Sequence, residues 1–262
     1  MNTLKSKDGT TIAFDEQGDG PSLILVDGAM STRSSGSKPE LAKLLAQRFT
    51  VYSYDRRGRG DSGDTRPYAV DREIEDLDAL IDEAGGSASL YGHSSGGCLA
   101  LEATVKLGDK VKKLGMYEAP YNDDPEAQKA WGAYIKNLTE VLASDRRGDA
   151  VALFMAYVGM PAAQIEAMRQ APFWGGMEAI GPTLAYDATI MGTDGTIPTE
   201  RAARVHAPTL VMNGGNGAPF MLETAKTLSK AIPGAKLSTL EGQAHDVHPE
   251  ALSPVLVEFL AA

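Results

Sequence analysis

The sequence predicts an α/β protein in which helices flank a mostly parallel sheet and an all-helical segment is inserted. Short apolar runs alternate with segments of helical periodicity over the first 120 residues and again after residue 200. Such alternation is typical of a parallel sheet with right-handed crossovers. Between these regions only helical patterns remain. We therefore expect a core formed by residues 1–120 and 201–262, with a helical cap over residues 121–200.

The composition is that of an ordinary globular protein with an acidic balance. Of 262 residues, 43% are hydrophobic and 23% are charged, and the formal net charge is -10. This charge makes nucleic acid and anionic membrane surfaces poor partners and disfavours strongly anionic substrates. Residues 1–20 lack the pattern of a signal peptide, and no apolar stretch is long enough to span a membrane. We expect a cytoplasmic protein with a small-molecule substrate; its oligomeric state stays open.

The N-terminal half contains patterns for several strands and helices. Asp8-Gly9 between two short strand-like segments predicts a hairpin with a two-residue turn. The continuous apolar run at 22–26 indicates a strand that is covered on both faces. Residues 73–84 carry apolar side chains at helical spacing, which indicates an amphipathic surface helix. The other elements predicted here are a helix at 39–48 and strands at 50–54, 87–91 and 112–117.

The most informative motif is Gly92-His93-Ser94-Ser95-Gly96, a G-x-S-x-G sequence. It lies between a predicted strand and a predicted helix at 97–107, which is the context of a nucleophile elbow. The serine of such a turn has a strained backbone, so the residues two positions away must be nearly free of side chains. We therefore predict that Ser94 is the nucleophile and that the Ser95 backbone N–H, at a helix N-terminus, stabilises an oxyanion.

Helical patterns fill the inserted segment, and alternation resumes after it. Proline residues punctuate the helical patterns, which cover residues 126–143, 149–158, 162–169 and 174–190. An all-helical insertion of this size predicts a cap over the active face. The C-terminal part then predicts strands at 208–212 and 235–240 and helices at 220–231 and 249–260.

A serine nucleophile needs a base, and histidine is the natural base at neutral pH. Of the four histidines, His245 follows the last predicted strand, at the sheet edge where Ser94 also emerges. His93 adjoins the nucleophile, but its direction in the elbow is wrong for contact with the hydroxyl. His206 precedes a strand at the opposite edge, and His248 begins the terminal helix. These positions favour His245 as the base.

Three motifs together give the chain a resemblance to the α/β-hydrolases. They are the elbow at 92–96, the segment from Asp55 to Ser62 after the fourth strand, and Gly-x-x-His at 242–245. The resemblance runs from about residue 3 to residue 120 and from 199 to 260. It implies the α/β-hydrolase fold and a triad in the chain order serine, acid, histidine.

The acid is where the sequence departs from the usual family pattern. Family members usually carry an aspartate after the strand that corresponds to 208–212, but the loop at 213–219 contains no carboxylate. Glu118 stands one strand earlier, directly before the cap, as in a minority branch that resembles the haloalkane dehalogenases in this respect. There it is expected to orient His245 and stabilise the imidazolium. The alternative is a Ser–His dyad with Glu118 as a capping or hinge residue; Asp246 adjoins His245 and diverges from it.

The resemblance also implies a second oxyanion donor in the loop after the strand at 22–26. The backbone N–H of Ala29 is expected to form the oxyanion hole together with that of Ser95. Most relatives have His-Gly where this chain has Asp27-Gly28. We interpret Asp27 as structural, with a role in tuning substrate charge as the alternative. The arginines that follow the fourth strand are interpreted as structural or solvated: Arg56, Arg57 and Arg59.

Aromatic and large apolar residues of the cap predict the character of the substrate pocket. As a set they would give a mostly apolar, aromatic pocket over Ser94, whereas packing between helices is the safer interpretation for any single one. The residues assigned to the pocket are Trp131, Phe173, Trp174 and Met177.

These residues together predict a serine hydrolase that cleaves an uncharged carboxylic ester or lactone of modest size through an acyl-enzyme. A serine in the elbow argues against dehalogenase or epoxide-hydrolase chemistry, which in relatives uses a carboxylate nucleophile. Two alternatives stay open: a lyase or cyclase in which Ser94 and His245 transfer protons, and a non-catalytic small-molecule binder. Neither a metal nor an organic cofactor is expected. Cys98, the single cysteine, is interpreted as a core residue.

Overall fold

Eight strands form one sheet in the computed structural model, which describes residues 1–261. The strands are β1 Asn2–Lys5, β2 Thr11–Gln17, β3 Ser22–Val26, β4 Thr50–Tyr54, β5 Ala88–His93, β6 Val111–Tyr117, β7 Thr209–Gly214 and β8 Lys236–Leu240. Their order in the sheet is β1-β2-β4-β3-β5-β6-β7-β8. The β1–β2 and β2–β4 pairs are antiparallel, and the other pairs are parallel. The predicted α/β fold with a mostly parallel sheet is confirmed.

Helices flank the sheet and occupy the chain between β6 and β7. Over the described residues they are α1 Lys38–Leu45, α2 Val70–Glu83, α3 Ser95–Leu107, α4 Pro125–Ala143, α5 Arg147–Tyr157, α6 Ala162–Arg169, α7 Trp174–Ile180, α8 Leu184–Met191, α9 Thr199–Ala202, α10 Pro219–Ala231 and α11 Pro249–Ala261. Helices α4 to α9 all lie between β6 and β7. None of the helices in residues 1–261 combines the length and the apolar character needed to cross a membrane.

The central strands bury side chains on both faces of the sheet. Ile24 and Val26 of β3 belong to the core that includes α2 and α3, whereas Leu23 and Leu25 belong to the core that includes α1 and α11. Successive side chains of a strand point to opposite faces, which is why this strand is a continuous apolar run. Cys98 of α3 is fully buried in the first core, as predicted.

Two local predictions are wrong. The first hairpin has a longer loop than two residues, because its strands end at Lys5 and resume at Thr11, and the Asp8 carboxylate accepts the Thr10 N–H inside the loop. The single helix predicted at 174–190 is two helices, α7 and α8, joined by a 3-10 turn at Gly181–Thr183. Proline at position 182 lacks an N–H and its ring obstructs the preceding turn, so one continuous helix is disfavoured there.

Candidate active site

The predicted nucleophile elbow, Gly92 to Gly96, lies between β5, a central strand, and α3. Ser94 has φ 56° and ψ -130°, a left-handed conformation that is strained for a residue with a side chain. A Cβ atom at Gly96 would overlap the carbonyl oxygen of Val26, and one at Gly92 would overlap the backbone of Gly96 and Gly97. Both glycines are therefore required by the close approach of the backbone. The side chain of Ser94 is partly exposed at the tip of this turn.

The elbow glycines give the first prediction. Gly96→Ala is expected to lower the free energy of unfolding by about 2–3 kcal/mol, because the added methyl meets a carbonyl oxygen of β3 that cannot move freely. Gly132→Ala in α4 is the matched control, since a Cβ there meets nothing within 4 Å. That control is expected to stabilise the fold by about 0.5–1 kcal/mol. Urea unfolding of the two variants checks the pair, and equal stabilities would contradict the packing described.

Glu118 and His245 meet at the carboxyl ends of β6 and β8. The Nδ1 atom of His245 lies 2.8 Å from the Oε2 atom of Glu118. The other carboxylate oxygen of Glu118 accepts the N–H of Gly214 at 2.9 Å, and the whole residue is 2% exposed. Glu118 also has a positive φ of 46°, and strained residues of this kind cluster at functional sites. The carboxylate is thus held in one orientation toward the imidazole.

The loop at 213–219 supports this carboxylate although it lacks one of its own. A Cβ atom at Gly217 would overlap Oε1 of Glu118, so glycine leaves the space that the glutamate side chain fills. The N–H of Gly214 donates to the same oxygen. The carboxylate beside the end of β7 is therefore that of Glu118, which follows β6, and does not come from the loop itself.

The imidazole of His93 contacts the backbone of the loop that carries His245. Its Nε2 atom lies 2.9 Å from the carbonyl oxygen of His245, and the two rings are 4.8 Å apart between centroids. Burial lowers the pKa of His93 to about 3. The ring is therefore neutral at physiological pH, and since a carbonyl oxygen only accepts, Nε2 carries the proton. The hydroxyl of Tyr117 donates to the carbonyl of Ala244 at 2.6 Å and fixes the same loop.

Ser94 and His245 share the carboxyl edge of the sheet. Within residues 1–261 no hydrogen bond joins their side chains, and catalytic hydrogen bonds are often loose before substrate binds. The side chain of His245 is 42% exposed, so solvent and small molecules have access to the ring. His206 and His248 are exposed surface residues, and Asp246 is exposed beside His245.

The expected oxyanion donors are the backbone N–H groups of Ala29 and Ser95. Among the described residues, neither the N–H of Ala29 nor that of Ser95 donates to a protein acceptor. Gly28 brings the first of them close, because a Cβ atom on it would lie 3.4 Å from Oγ of Ser94. The second begins α3, where the helix dipole also favours negative charge.

A sequence model of the alpha/beta hydrolase family matches residues 28–256, which is most of the chain. The chain belongs to the α/β-hydrolase family. Its structure is similar to the crystal structure of an alpha/beta hydrolase from Sphaerobacter thermophilus, with 49% sequence identity and a TM-score of 0.86. That similarity covers 99% of this chain and 100% of the other.

More distant relatives of this α/β-hydrolase differ in the activity their names give. The enol-lactonase from Burkholderia xenovorans has 20% identity and a TM-score of 0.70, covering all of both chains, and it shows the shared fold. A protein named as a carbamate hydrolase, RutD of Caulobacter segnis, is 27% identical over 125 residues, 46% of each chain. The chain thus spans less than half the length of the curated relatives that it matches.

The three arginines after β4 are structural, because their side chains are at most 1% exposed. Each one is paired with at least one carboxylate of the protein. Arg57 pairs with Asp76, whereas Arg56 and Arg59 both pair with Asp187 of α8. Sequence reasoning missed Asp187, although it is the one charged residue of α8, a mostly apolar helix. A single charge in such a helix indicates a buried partner.

Asp27, the residue after β3, is nearly buried. Its side chain is 13% exposed, and its carboxylate lies 3.5 Å from the ammonium of Lys38. Burial raises the pKa of Asp27 to about 6, while Lys38 acts in the opposite direction. The ion pair favours the structural interpretation of Asp27.

The residues assigned to the substrate pocket lie in different surroundings. Trp131 of α4 is buried, and its Nε1 atom donates to the carbonyl of Gly192 at 2.8 Å. Trp174 is buried in a small core formed with residues of α5 and α6, and Met177 packs against that core. Phe173 is 54% exposed. Their role as pocket residues stays a prediction.

A further groove of the protein lies away from Ser94, Glu118 and His245. A groove of about 520 Å³ is lined mostly by residues of α4, α5 and α6, and none of Ser94, Glu118 and His245 contributes to it. Among residues 1–261, no cluster of three or more histidine, cysteine, aspartate or glutamate side chains is arranged to hold a metal ion.

Proposed function

We propose that this α/β-hydrolase cleaves an uncharged carboxylic ester or lactone of modest size through an acyl-enzyme on Ser94. The observation that carries the proposal is the 2.8 Å contact between His245 and the buried carboxylate of Glu118, at the sheet edge where the elbow presents Ser94. A base that is oriented by an acid next to a strained serine is the arrangement of nucleophilic catalysis.

In the proposed reaction, Oγ of Ser94 attacks the substrate carbonyl while Nε2 of His245 takes the serine proton. Nδ1–H of His245 donates to Glu118, which fixes the tautomer and stabilises the imidazolium. The imidazolium then gives its proton to the leaving alcohol as the carbon–oxygen bond breaks. Water, deprotonated by the same imidazole, then attacks the acyl carbon, and the imidazolium returns its proton to Oγ of Ser94 as the acid leaves.

The charge that develops on the carbonyl oxygen needs donors that are already in place. The N–H groups of Ala29 and Ser95 are the proposed donors, since both are unpaired within the described residues and flank Ser94. Donors that need no reorganisation during the reaction are typically the largest single contribution to catalysis of acyl transfer.

The substrate class follows from charge and from the family. The net charge of -10 opposes anionic substrates, and the aromatic residues of the cap suit an uncharged, partly apolar one. The carbamate hydrolase among the relatives is named for hydrolysis of a carbonyl derivative, which is consistent with the class we propose.

Hydrolysis of p-nitrophenyl esters from acetate to decanoate, together with simple lactones, tests the proposal. We expect turnover that is fastest at one chain length, because a pocket of limited size accepts one acyl length best. Activity across the series would size that pocket. A folded protein that hydrolyses none of these compounds would contradict the proposal and favour the lyase, cyclase or binding alternatives.

A further inference from the structure

One buried carboxylate of the cap contacts the elbow and both arginines beside it. Asp187 lies on α8 and is 5% exposed. Its Oδ1 atom accepts the hydroxyl of Ser95 at 2.8 Å and Nη1 of Arg56 at 2.7 Å. Its Oδ2 atom accepts Nη2 of Arg59 at 2.7 Å. Asp187 is therefore joined directly to the residue whose N–H is one proposed oxyanion donor.

The same two arginines hold the loop that carries the other donor. Nη1 of Arg59 donates to the carbonyl of Gly28 at 2.6 Å, and Nη1 of Arg56 donates to that of Asp27 at 3.2 Å. A peptide unit is planar and trans, so its C=O and N–H point in opposite directions. Because Arg59 fixes the Gly28 carbonyl, it also fixes the direction of the Ala29 N–H.

Arg59 depends on Asp187 for its charge partner. Arg56 has a second carboxylate, Glu73, at 2.6 Å, whereas the only carboxylate paired with Arg59 among residues 1–261 is Asp187. The remaining side-chain contact of Arg59 is with the hydroxyl of Thr183 at 3.1 Å. Burial raises the pKa of Asp187, but Arg59 and Arg56 outweigh it and hold the pKa below its ordinary value. Asp187 is thus a charged acceptor at neutral pH.

We propose that Asp187 is a positioning residue through which the helical cap orients both donors of the oxyanion hole, the N–H groups of Ala29 and Ser95. It reaches the first through Arg59 and the carbonyl of Gly28, and the second through the Ser95 hydroxyl. This inference rests on the proposed function, in which those two groups stabilise the tetrahedral oxyanion. It assigns the cap a part in the chemistry besides covering the site.

The hydrolase contains a matched ion pair that lacks these contacts. Arg57 pairs with Asp76, and both side chains are fully buried. Arg57 also contacts the Asp8 carboxylate and the carbonyl of Arg72, neither of which belongs to the elbow or to the loop after β3. Asp76→Asn therefore removes a buried carboxylate of the same kind without touching the oxyanion hole.

The test compares Asp187→Asn with Asp76→Asn by the rate at which a fluorophosphonate labels Ser94. The serine oxygen bonds to phosphorus, fluoride leaves, and the phosphoryl oxygen occupies the oxyanion hole, so the rate reports on the donors without an ester substrate. We expect Asp187→Asn to be labelled about 10- to 100-fold more slowly than wild type, since complete loss of one donor costs about 100- to 1,000-fold. For esters, kcat should fall equally while KM stays within about threefold. For Asp76→Asn, the labelling rate, kcat and KM should each stay within about threefold of wild type.

Circular dichroism checks that both variants are folded. Equal labelling rates for the two folded variants would overturn the inference and leave Asp187 a structural ion-pair partner. If Asp187→Asn does not fold, Ser95→Ala takes its place, because it keeps the backbone N–H and removes only the contact with Asp187. We expect it to be labelled about threefold to tenfold more slowly, and a wild-type rate would overturn the inference.

The proposed function can be contradicted independently of the role of Asp187. Wild-type protein that is labelled at Ser94 but hydrolyses no ester would contradict the ester function, and the labelling rates would still decide the role of Asp187. Wild-type protein that is not labelled at Ser94 would overturn both.

Discussion

Ser94→Ala is expected to abolish ester hydrolysis while leaving the fold intact. Alanine cannot form an acyl-enzyme, and loss of the nucleophile from a triad lowers kcat by about a million-fold. The change removes one partly exposed oxygen that has no side-chain hydrogen bond with His245 within the described residues, so little packing is lost. Turnover of the best p-nitrophenyl ester and the urea unfolding midpoint together check this expectation.

Ser89→Ala is the matched control for the nucleophile. Ser89 lies on the same strand, β5, and is buried at 9% exposure, away from the turn. We expect this variant to keep its rate within about threefold of wild type. Ser94→Ala with an activity close to that of Ser89→Ala would place the nucleophile elsewhere.

Glu118→Gln is expected to lower kcat by about 1,000- to 10,000-fold. The glutamine oxygen can still accept the N–H of Gly214, which turns its amide N–H toward Nδ1 of His245. The imidazole then has to accept at Nδ1 and carry its proton on Nε2, the nitrogen that must take the serine proton. The base is thereby held in the wrong tautomer, although the geometry is almost unchanged.

Asp246→Asn distinguishes this effect from a general loss of negative charge near the histidine. Asp246 is exposed and adjoins His245 in the chain, but the imidazole pairs with Glu118. We expect a rate within about threefold of wild type, since surface substitutions away from paired groups have small effects. A near-normal rate for Glu118→Gln would mean that the site works as a Ser–His dyad.

The fold and the elbow could be predicted from sequence because both depend on short-range patterns. The apolar run of β3, the glycines around Ser94 and the alternation of strands and helices are each visible within about 20 residues. Parallel strands then bring their carboxyl ends to one edge, which is why a residue after β6 and another after β8 could be expected near the serine. The contact between Glu118 and His245 agrees with that expectation of proximity.

Side-chain arrangements inside the cap could not be predicted in the same way. Nothing in the spacing indicates that Trp131 donates to a backbone carbonyl or that Phe173 is exposed, because both depend on how the cap helices pack. The pairing of Arg59 with Asp187 joins residues that are far apart in sequence. The segment around Arg59 contains no sign of this buried partner, because Asp187 lies on α8.

An acyl group on Ser94 would distinguish the proposed serine hydrolase from a lyase or cyclase that transfers protons and from a non-catalytic binding protein. The measurement is acid quenching of wild-type protein a few milliseconds after mixing with p-nitrophenyl acetate, followed by mass spectrometry of the whole protein and its peptides. We expect a burst of p-nitrophenol and one acetyl group on the peptide that contains Ser94, because aryl esters acylate faster than water deacylates. Turnover without any acylated protein, or with the acetyl group on another residue, would contradict the acyl-enzyme mechanism.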